Sequence, residues 1–268
     1  MPFLLLMFIT CVKAHGDLDL RIKVITSAIE SYPDSAVLYF KRGKLRFQHE
    51  EYKASIEDVH TSLQKGFHDE LQKIYLAKSF FKLNNFEEAN SNLDQYLNQN
   101  PENVVGLKLK ARILYGQEKF VESAQHFEKV IQLTIKSLPE NYLEAAHSWQ
   151  ASSDPYKMTN SIHILELGLK NLGPIITIQN KLIDAHLIAV NREQALELQF
   201  AIIKKTNRKE SAYFKLAEIY LQLEESENAI EAVQNSKKHW EKLPSRIQNN
   251  SAMKLLKNEI EQILTKTH

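Results

Sequence analysis

The sequence has little glycine, little proline and almost no cysteine. Its 268 residues include 7 glycines, 7 prolines and a single cysteine, Cys11. Sheet-rich folds need turn residues every few positions, so this scarcity favours long helices joined by short connections. One cysteine alone also excludes a disulfide within the chain.

The chain also lacks an excess of charge of either sign. It has 34 Lys and Arg residues against 33 Asp and Glu residues, a formal net charge of +1, and no segment is strongly basic. A nucleic-acid-binding protein usually has a basic excess, so no nucleic-acid partner is expected. Hydrophobic residues make up 43% and charged residues 25%, a mixture typical of a globular chain and not of a disordered one.

The first residues resemble an export signal. An apolar run, Phe3–Val12, leads into Val12-Lys13-Ala14, which a signal peptidase could cut after Ala14. The run is shorter than the roughly 20 residues that cross a bilayer. We therefore predict a secreted or periplasmic protein whose mature chain has no transmembrane segment and no thiol. Two alternatives stay open: a buried first helix, because no Lys or Arg precedes the run, and a lipid anchor on Cys11.

Residues of similar type recur every 34 positions along the chain. Small residues, aromatic residues and aliphatic residues each follow this step. After an insertion of four residues near 137–141 the period resumes. The recurring sets are Gly43, Ala77 and Ala111; Tyr52, Phe86 and Phe120; Ser55, Ala89 and Ser123; Leu63, Leu97 and Ile131; Ser161, Ala195 and Ala229; and Leu165, Gln199 and Val233.

Each period predicts a pair of helices. In the first, apolar residues recur at helical spacing over Ala36–Gln48 and again over Tyr52–Lys65, with a tight turn at His49–Glu51 between them. One such pair cannot bury its apolar face alone, but stacked neighbours can. Prolines end three of the periods, as expected where a helix must stop: Pro33, Pro101 and Pro174.

The periods resemble tetratricopeptide repeats. The best match runs from Ser211 to Tyr220 and continues to Ala229-Ile230; the next has Tyr75-Leu76-Ala77, Phe86–Ala89 and a closing Asn100-Pro101. This resemblance implies an all-α fold, a right-handed α-solenoid of stacked antiparallel helix pairs. We predict a signal peptide at 1–14, a solenoid at 15–243 and a capping helix at 244–268. The solenoid would comprise a half repeat at 18–34 and full repeats at 36–69, 70–103, 104–137, 142–175, 176–209 and 210–243.

Two of the predicted repeats depart from the family pattern. In the fourth, Trp149 stands where a small residue is usual, and Ser152–Pro155 breaks the regular turn. In the fifth, Arg192 replaces an aromatic residue. The groove could bend or widen there, or the fourth repeat could be out of register.

The resemblance implies that the first helix of each repeat lines a concave groove with its positions 2, 5, 9 and 12. Position 9 is Lys44, Lys78 and Arg112 in the first three repeats and Gln150, Asp184 and Glu218 in the last three. Position 12 is Phe47, Phe81 and Tyr115, then Ser153, Leu187 and Leu221. Lys41 and Lys108 add positive charge to the first half.

These columns predict a cationic ladder beside an aromatic ladder, suited to an extended peptide with carboxylates and apolar side chains. The alternative is that the cations are solvated and the rings belong to the core between helices. The Lys–Asn pattern with which some family members clamp a terminal carboxylate is absent, because Asn180 is the only asparagine at a predicted groove position.

No catalytic or metal-binding motif is present. The sequence has no phosphate-binding glycine loop, no G-x-S-x-G and no H-E-x-x-H. Its histidines are scattered: His15, His49, His60, His68, His126, His147, His163, His186, His239 and His268. The sequence therefore predicts no enzyme, no cofactor and no metal.

The function expected from the sequence is a non-catalytic adaptor that binds another protein or peptide, with an acidic segment as one candidate ligand. One alternative is an accessory subunit of a cell-envelope complex that uses the convex face or the capping helix. A weaker alternative is a hydrolase or metal-handling protein whose site assembles only in space.

Overall fold

The structure is a computed structural model that describes the backbone of residues 2–266 and the side chains of residues 16–265. Over this part of the chain all regular structure is helical, which confirms the predicted all-α solenoid class. The helices are α1 (Pro2–Ser31), α2 (Ala36–Gln48), α3 (Tyr52–Gln64), α4 (Leu71–Lys82), α5 (Phe86–Gln99), α6 (Val104–Gly116), α7 (Phe120–Leu133), α8 (Pro139–Ala151), α9 (Lys157–Leu172), α10 (Ile176–Ile188), α11 (Arg192–Lys205), α12 (Lys209–Gln222), α13 (Ser226–Glu241), α14 (Ser245–Gln248) and α15 (Ser251–Lys266).

The helices form two compact units, an amino-terminal unit of residues 1–157 and a carboxy-terminal unit of residues 158–268. In the amino-terminal unit each helix from α1 to α7 packs against the next one along the chain. The first helices of successive pairs also touch, α2 against α4 and α4 against α6. This arrangement places α2, α4 and α6 side by side, so their outward faces form one continuous surface.

The core of the amino-terminal unit lies between these pairs. Ala77, Ala89 and Ile113 are fully buried, together with Leu93, where α4, α5 and α6 meet. Small residues at the recurring positions let the helices approach closely. A Cβ added at Gly43 would lie only 3.2 Å from Ser55 O on the partner helix.

The carboxy-terminal unit has one continuous core, formed by the pairs α10–α11 and α12–α13 with α15 packed on α13. Helix α15 buries Met253, Leu256 and Ile260 in this core. Leu255, next to Leu256 on the same helix, is 59% exposed.

The turn within a regular pair has one geometry, repeated five times. Its middle residue takes a left-handed backbone with φ close to +60°. In the first turn Glu50 N donates to Phe47 O (3.1 Å) and Glu51 N donates to Arg46 O (2.8 Å), which satisfies the last carbonyls of α2. The left-handed residues are Glu50, Asn84, Glu118, Val190 and Glu224.

The fourth pair of helices, α8 and α9, does not start where the sequence predicts. Helix α8 begins at Pro139, three residues before the predicted start at 142, and five residues (152–156) separate it from α9 where other pairs have three. Ser148 Oγ lies 3.0 Å from Ser123 Oγ, the same relation that Ser79 has with Ser55 at 3.4 Å. The inserted residues therefore lie largely in the turn after α8.

This register changes the role of two residues in α8. Ala146, 3% exposed, takes the small-residue position that the sequence numbering gave to Trp149. Trp149 is buried as well, and its Nε1 donates to Glu128 Oε1 at 2.6 Å. The fourth repeat is therefore a longer repeat with its small residue in place.

The predicted signal peptide, residues 1–14 with Cys11, lies outside the residues whose side chains the structure describes. Its backbone from Pro2 onward belongs to α1, and α1 packs on α2. Among the described residues, no helix has both the length and the hydrophobicity that crossing a bilayer requires.

Candidate functional site

Six of the eight predicted groove residues line two adjoining cavities in the amino-terminal unit. The larger cavity, about 370 Å³, is lined by Phe47, Lys78, Phe81, Lys108 and Arg112 among others. The smaller, about 230 Å³, is lined by Tyr115 and shares Phe81 and Arg112 with the larger. The other two predicted residues, Lys41 and Lys44, line a separate cavity of about 500 Å³ beside α1.

The grouping follows from helix geometry. Positions 9 and 12 of a repeat are three residues apart and therefore lie on one face of its first helix. Because α2, α4 and α6 pack side by side, the faces of three successive helices share one surface. A local pattern and the stacking of pairs together produce the site.

The three rings of the aromatic ladder each pack against the first residue of the following helix. The ring centroids are 5.6 Å apart for Phe47 and Tyr52, and 6.0 Å apart for Phe81 and Phe86. Tyr115 lies 5.0 Å from Phe120 in the same way. Each ring is only partly buried, so its inner edge belongs to the core and its outer edge faces a cavity.

Lys78 lines the larger cavity without pairing with a described carboxylate. Its Nζ lies 5.5 Å from the centroid of the Tyr75 ring, and no carboxylate among the described residues is within ion-pair distance. Burial lowers the pKa of the Lys78 ammonium, because removing water disfavours the charged form. Lys44 is similar, with its Nζ 4.7 Å from the centroid of the Phe40 ring.

Two further cations of this cavity, Arg112 and Lys108, are paired with a carboxylate of α8. Arg112 donates to Glu144 Oε1 from Nε at 3.1 Å and from Nη2 at 2.5 Å. Lys108 Nζ lies 3.8 Å from Glu144 Oε2 and donates to Asn141 Oδ1 at 2.7 Å. Glu144 Oε2 is itself buried and accepts no hydrogen bond. The predicted cationic ladder therefore lies beside a carboxylate that pairs with two of its members.

Helix α8 also contributes residues to these cavities, and sequence reasoning missed Asn141 and Glu144 among them. Asn141, Glu144 and His147 face the cavities, and His147 Nε2 lies 3.3 Å from Tyr115 Oη. With α8 in its observed register, position 9 of the fourth repeat is His147, not Gln150. Asn141 is also a groove asparagine, in addition to Asn180. The pair of alanines at 145–146, one turn ahead of the expected small position, was the signal for this register.

In the carboxy-terminal unit the corresponding positions are less open to an anionic ligand. Asp184 and Leu187 line a cavity of about 490 Å³ with Lys215. Lys215 Nζ lies 3.5 Å from Asp184 Oδ1 and 3.6 Å from Glu218 Oε2. The single lysine of this cavity is therefore already paired with carboxylates.

The acidic side chains and histidines of the described residues do not cluster into a metal site. No group of three or more His, Cys, Asp or Glu residues there is placed to hold a metal ion. His186 is buried, burial lowers the pKa of its imidazole, and Asn191 Nδ2 lies 3.4 Å from its Nδ1. This histidine belongs to the packing between a helix and its turn.

Antiparallel helix pairs that repeat every 34 residues, with small residues at their crossings and a shared outer face, define an α-solenoid repeat protein. Models of the tetratricopeptide repeat match residues 76–137 and 210–236. The chain therefore contains tetratricopeptide repeats.

Solved structures of repeat proteins show the same fold. The C-terminal part of a TPR repeat-containing protein from Cytophaga hutchinsonii superposes with a TM-score of 0.68 at 15% identity, covering 88% of this chain and 95% of that one. A tetratricopeptide repeat protein from Parabacteroides merdae gives a TM-score of 0.55 at 14% identity, covering 93% of each chain. No curated protein matches the sequence significantly.

Proposed function

We propose that the protein is a non-catalytic adaptor that binds an extended, acidic segment of a partner protein in the amino-terminal unit. The segment would lie across α2, α4 and α6. The observation that carries this proposal is Lys78, a partly buried ammonium in the wall of a cavity, with no carboxylate beside it.

A buried charge without a partner is costly, and a ligand carboxylate would remove that cost. It would also raise the pKa of Lys78 toward its usual range, since an opposite charge favours the protonated form. The rest of the cavity wall is suited to an apolar side chain of the ligand next to that carboxylate. Phe47, Phe81 and Leu109 line it, and Val105 at its rim is 59% exposed.

Glu144 sets a second condition on the ligand. Its pair with Arg112 is partly exposed, and exposed ion pairs contribute only about 0–1 kcal/mol. A ligand carboxylate can therefore exchange with Glu144 at Arg112 at little cost. The ligand supported best has one acidic side chain at Lys78 and a second near Arg112, with apolar side chains between them.

Selection of peptides from a random displayed library on the full chain tests this proposal. We expect enrichment of sequences with Asp or Glu beside an aliphatic or aromatic residue. Calorimetric titration of an enriched peptide should show roughly ten- to a hundredfold weaker binding to Lys78→Met, the loss expected for one charge-assisted hydrogen bond. Lys73→Met on the same helix, which lines none of the cavities, is the matched control.

Enrichment of neutral or basic peptides would contradict the proposal. So would unchanged affinity of Lys78→Met, provided that its melting temperature equals that of the wild-type chain.

We also propose that the chain is exported, on the strength of the apolar run and the Val12-Lys13-Ala14 pattern. N-terminal sequencing of the native protein tests this. A mature chain that begins at His15 supports export, and a cytoplasmic chain that retains Met1 contradicts it.

A further inference from the structure

One end of the carboxy-terminal unit collects lysines that the sequence leaves in separate segments. Residues 204–209 contain four Lys and Arg and no acidic residue, and residues 237–242 contain three Lys and one Glu. Neither segment stands out in a chain of net charge +1. The fold brings them together because α12 runs antiparallel to α13, so the start of α12 lies beside the end of α13.

The surroundings of His239 show how close the two segments are. Its ring is stacked on Tyr213, with centroids 5.4 Å apart and planes at 10°. Burial, and after it the charges of Lys242, Lys209 and Lys238, lower the pKa of this imidazole, while Glu210 opposes the effect. Lysines from both segments therefore act on one ring.

Helix α15 brings further positive charge to the same end of the unit. Arg208 Nη2 lies 3.2 Å from Met253 Sδ, and Lys257 Nζ lies 5.4 Å from the centroid of the Trp240 ring. The first turns of α15, which carry Lys254 and Lys257, are thus in contact with the start of α12 and the end of α13.

Most of these lysines have no counter-charge. We call the following set the basic edge: Lys204, Lys205, Lys209, Lys237, Lys238 and Lys242. Five of the six are exposed and make no ion pair or side-chain hydrogen bond to any described residue. Lys209 Nζ donates to Ile203 O at 2.9 Å. Among the neighbouring charges, Arg208 is paired with Glu210 and Lys257 with Glu261.

Two exposed apolar side chains lie next to lysines on α11 and α15. Phe200, one turn before Lys204 on α11, is 47% exposed. Leu255, next to Lys254 on α15, is 59% exposed. Lysines without a counter-charge beside protruding apolar groups are the combination with which peripheral proteins dock on acidic membranes.

We propose that the basic edge docks the carboxy-terminal unit on an anionic phospholipid bilayer. All six members of the set are lysines, which act as flexible point charges, whereas shaped partners are usually held by the planar fork of arginine. Attraction to a charged lipid surface needs no fixed geometry, and this suits side chains that nothing in the fold orients. The proposal is independent of the peptide site, which lies in the other unit.

Co-sedimentation with vesicles tests this proposal on the full chain. We expect binding to vesicles of phosphatidylcholine mixed with phosphatidylglycerol, and none to phosphatidylcholine alone. The triple substitution Lys205→Gln, Lys238→Gln and Lys242→Gln should weaken partitioning about fivefold per lysine, or roughly a hundredfold. The control removes the same charge from exposed positions of the amino-terminal unit, with Lys53→Gln, Lys119→Gln and Lys136→Gln, and should bind like the wild type.

Three outcomes would overturn the proposal. Equal weakening by the control would mean that net charge alone governs binding. Binding to phosphatidylcholine alone would exclude an electrostatic dock. Tighter binding to a single-stranded oligonucleotide or to heparin than to the acidic vesicles would assign the edge to a soluble polyanion. Melting curves of both variants verify that they are folded, and Lys78→Met should bind vesicles like the wild type.

Discussion

Ser123 Oγ and Ser148 Oγ lie 3.0 Å apart in the interface between α7 and α8. The contact repeats the one between Ser55 and Ser79, where α3 meets α4. It places α8 three residues ahead of the predicted start at 142, which assumed that all four inserted residues precede this helix. The position of Glu144 and His147 in the groove follows from this register.

The register makes Ala146 the small residue of the fourth repeat. We expect Ala146→Leu to destabilise the protein by about 1–3 kcal/mol, because the added atoms have no space in a well-packed interface. Thermal unfolding followed by circular dichroism measures the effect. Ala201→Leu, at an exposed position of α11, is the control and should leave the melting temperature nearly unchanged. A tolerated Ala146→Leu would show that this position is not closely packed.

Val190 is a β-branched residue in the left-handed region, with φ of 61°. Its side chain is 85% exposed, so it gains little from packing. Replacing it by glycine should stabilise the protein by about 1 kcal/mol, since glycine adopts this conformation without steric cost. Introducing valine at the equivalent turn position, with Asn84→Val, should destabilise the protein by a similar amount. Urea unfolding of both variants checks the prediction, and equal midpoints for all three chains would refute it.

Gly116 ends α6 against the ring of Phe86. A Cβ at this position would lie 2.5 Å from two ring carbons, closer than any ordinary contact. Gly116→Ala should therefore destabilise by about 1–3 kcal/mol, although alanine is the better helix former by roughly 1 kcal/mol.

A double-mutant cycle with Phe86→Leu separates the two effects of this substitution. In the Phe86→Leu background, Gly116→Ala should lower the free energy of unfolding far less than in the wild type, or should raise it. If both backgrounds show the same loss, the clash with the ring is not its cause.

His186 makes stability depend on pH. Burial lowers the pKa of its imidazole in the folded chain, so below about pH 6.5 the unfolded chain binds more protons than the folded one. Stability is therefore fully present above that pH and declines as the pH falls toward the folded pKa. His186→Gln should flatten the fall in melting temperature between roughly pH 7 and pH 5. The exposed His60→Gln should keep the wild-type slope, and a slope shared by all three chains would contradict this role.

Much of the fold could be predicted because the signals are local. Helix α2 has the bounds Ala36–Gln48 predicted from apolar spacing and the following turn. Residues three apart lie on one helix face whatever the helix packs against, so Lys78 with Phe81, and Arg112 with Tyr115, could be assigned to shared surfaces. A constant period then implied that neighbouring faces align.

The sequence by itself determined the helices, their pairing and the aromatic and cationic columns, because each depends on spacing within one or two turns of helix. Only the tertiary structure decided where the inserted residues of the fourth repeat lie, which carboxylate neutralises Arg112, and that two modest lysine segments form one edge. Those properties depend on which side chains meet across different helices. A contact between residues 32 apart, as for Arg112 and Glu144, cannot be predicted from the spacing of residues within either helix.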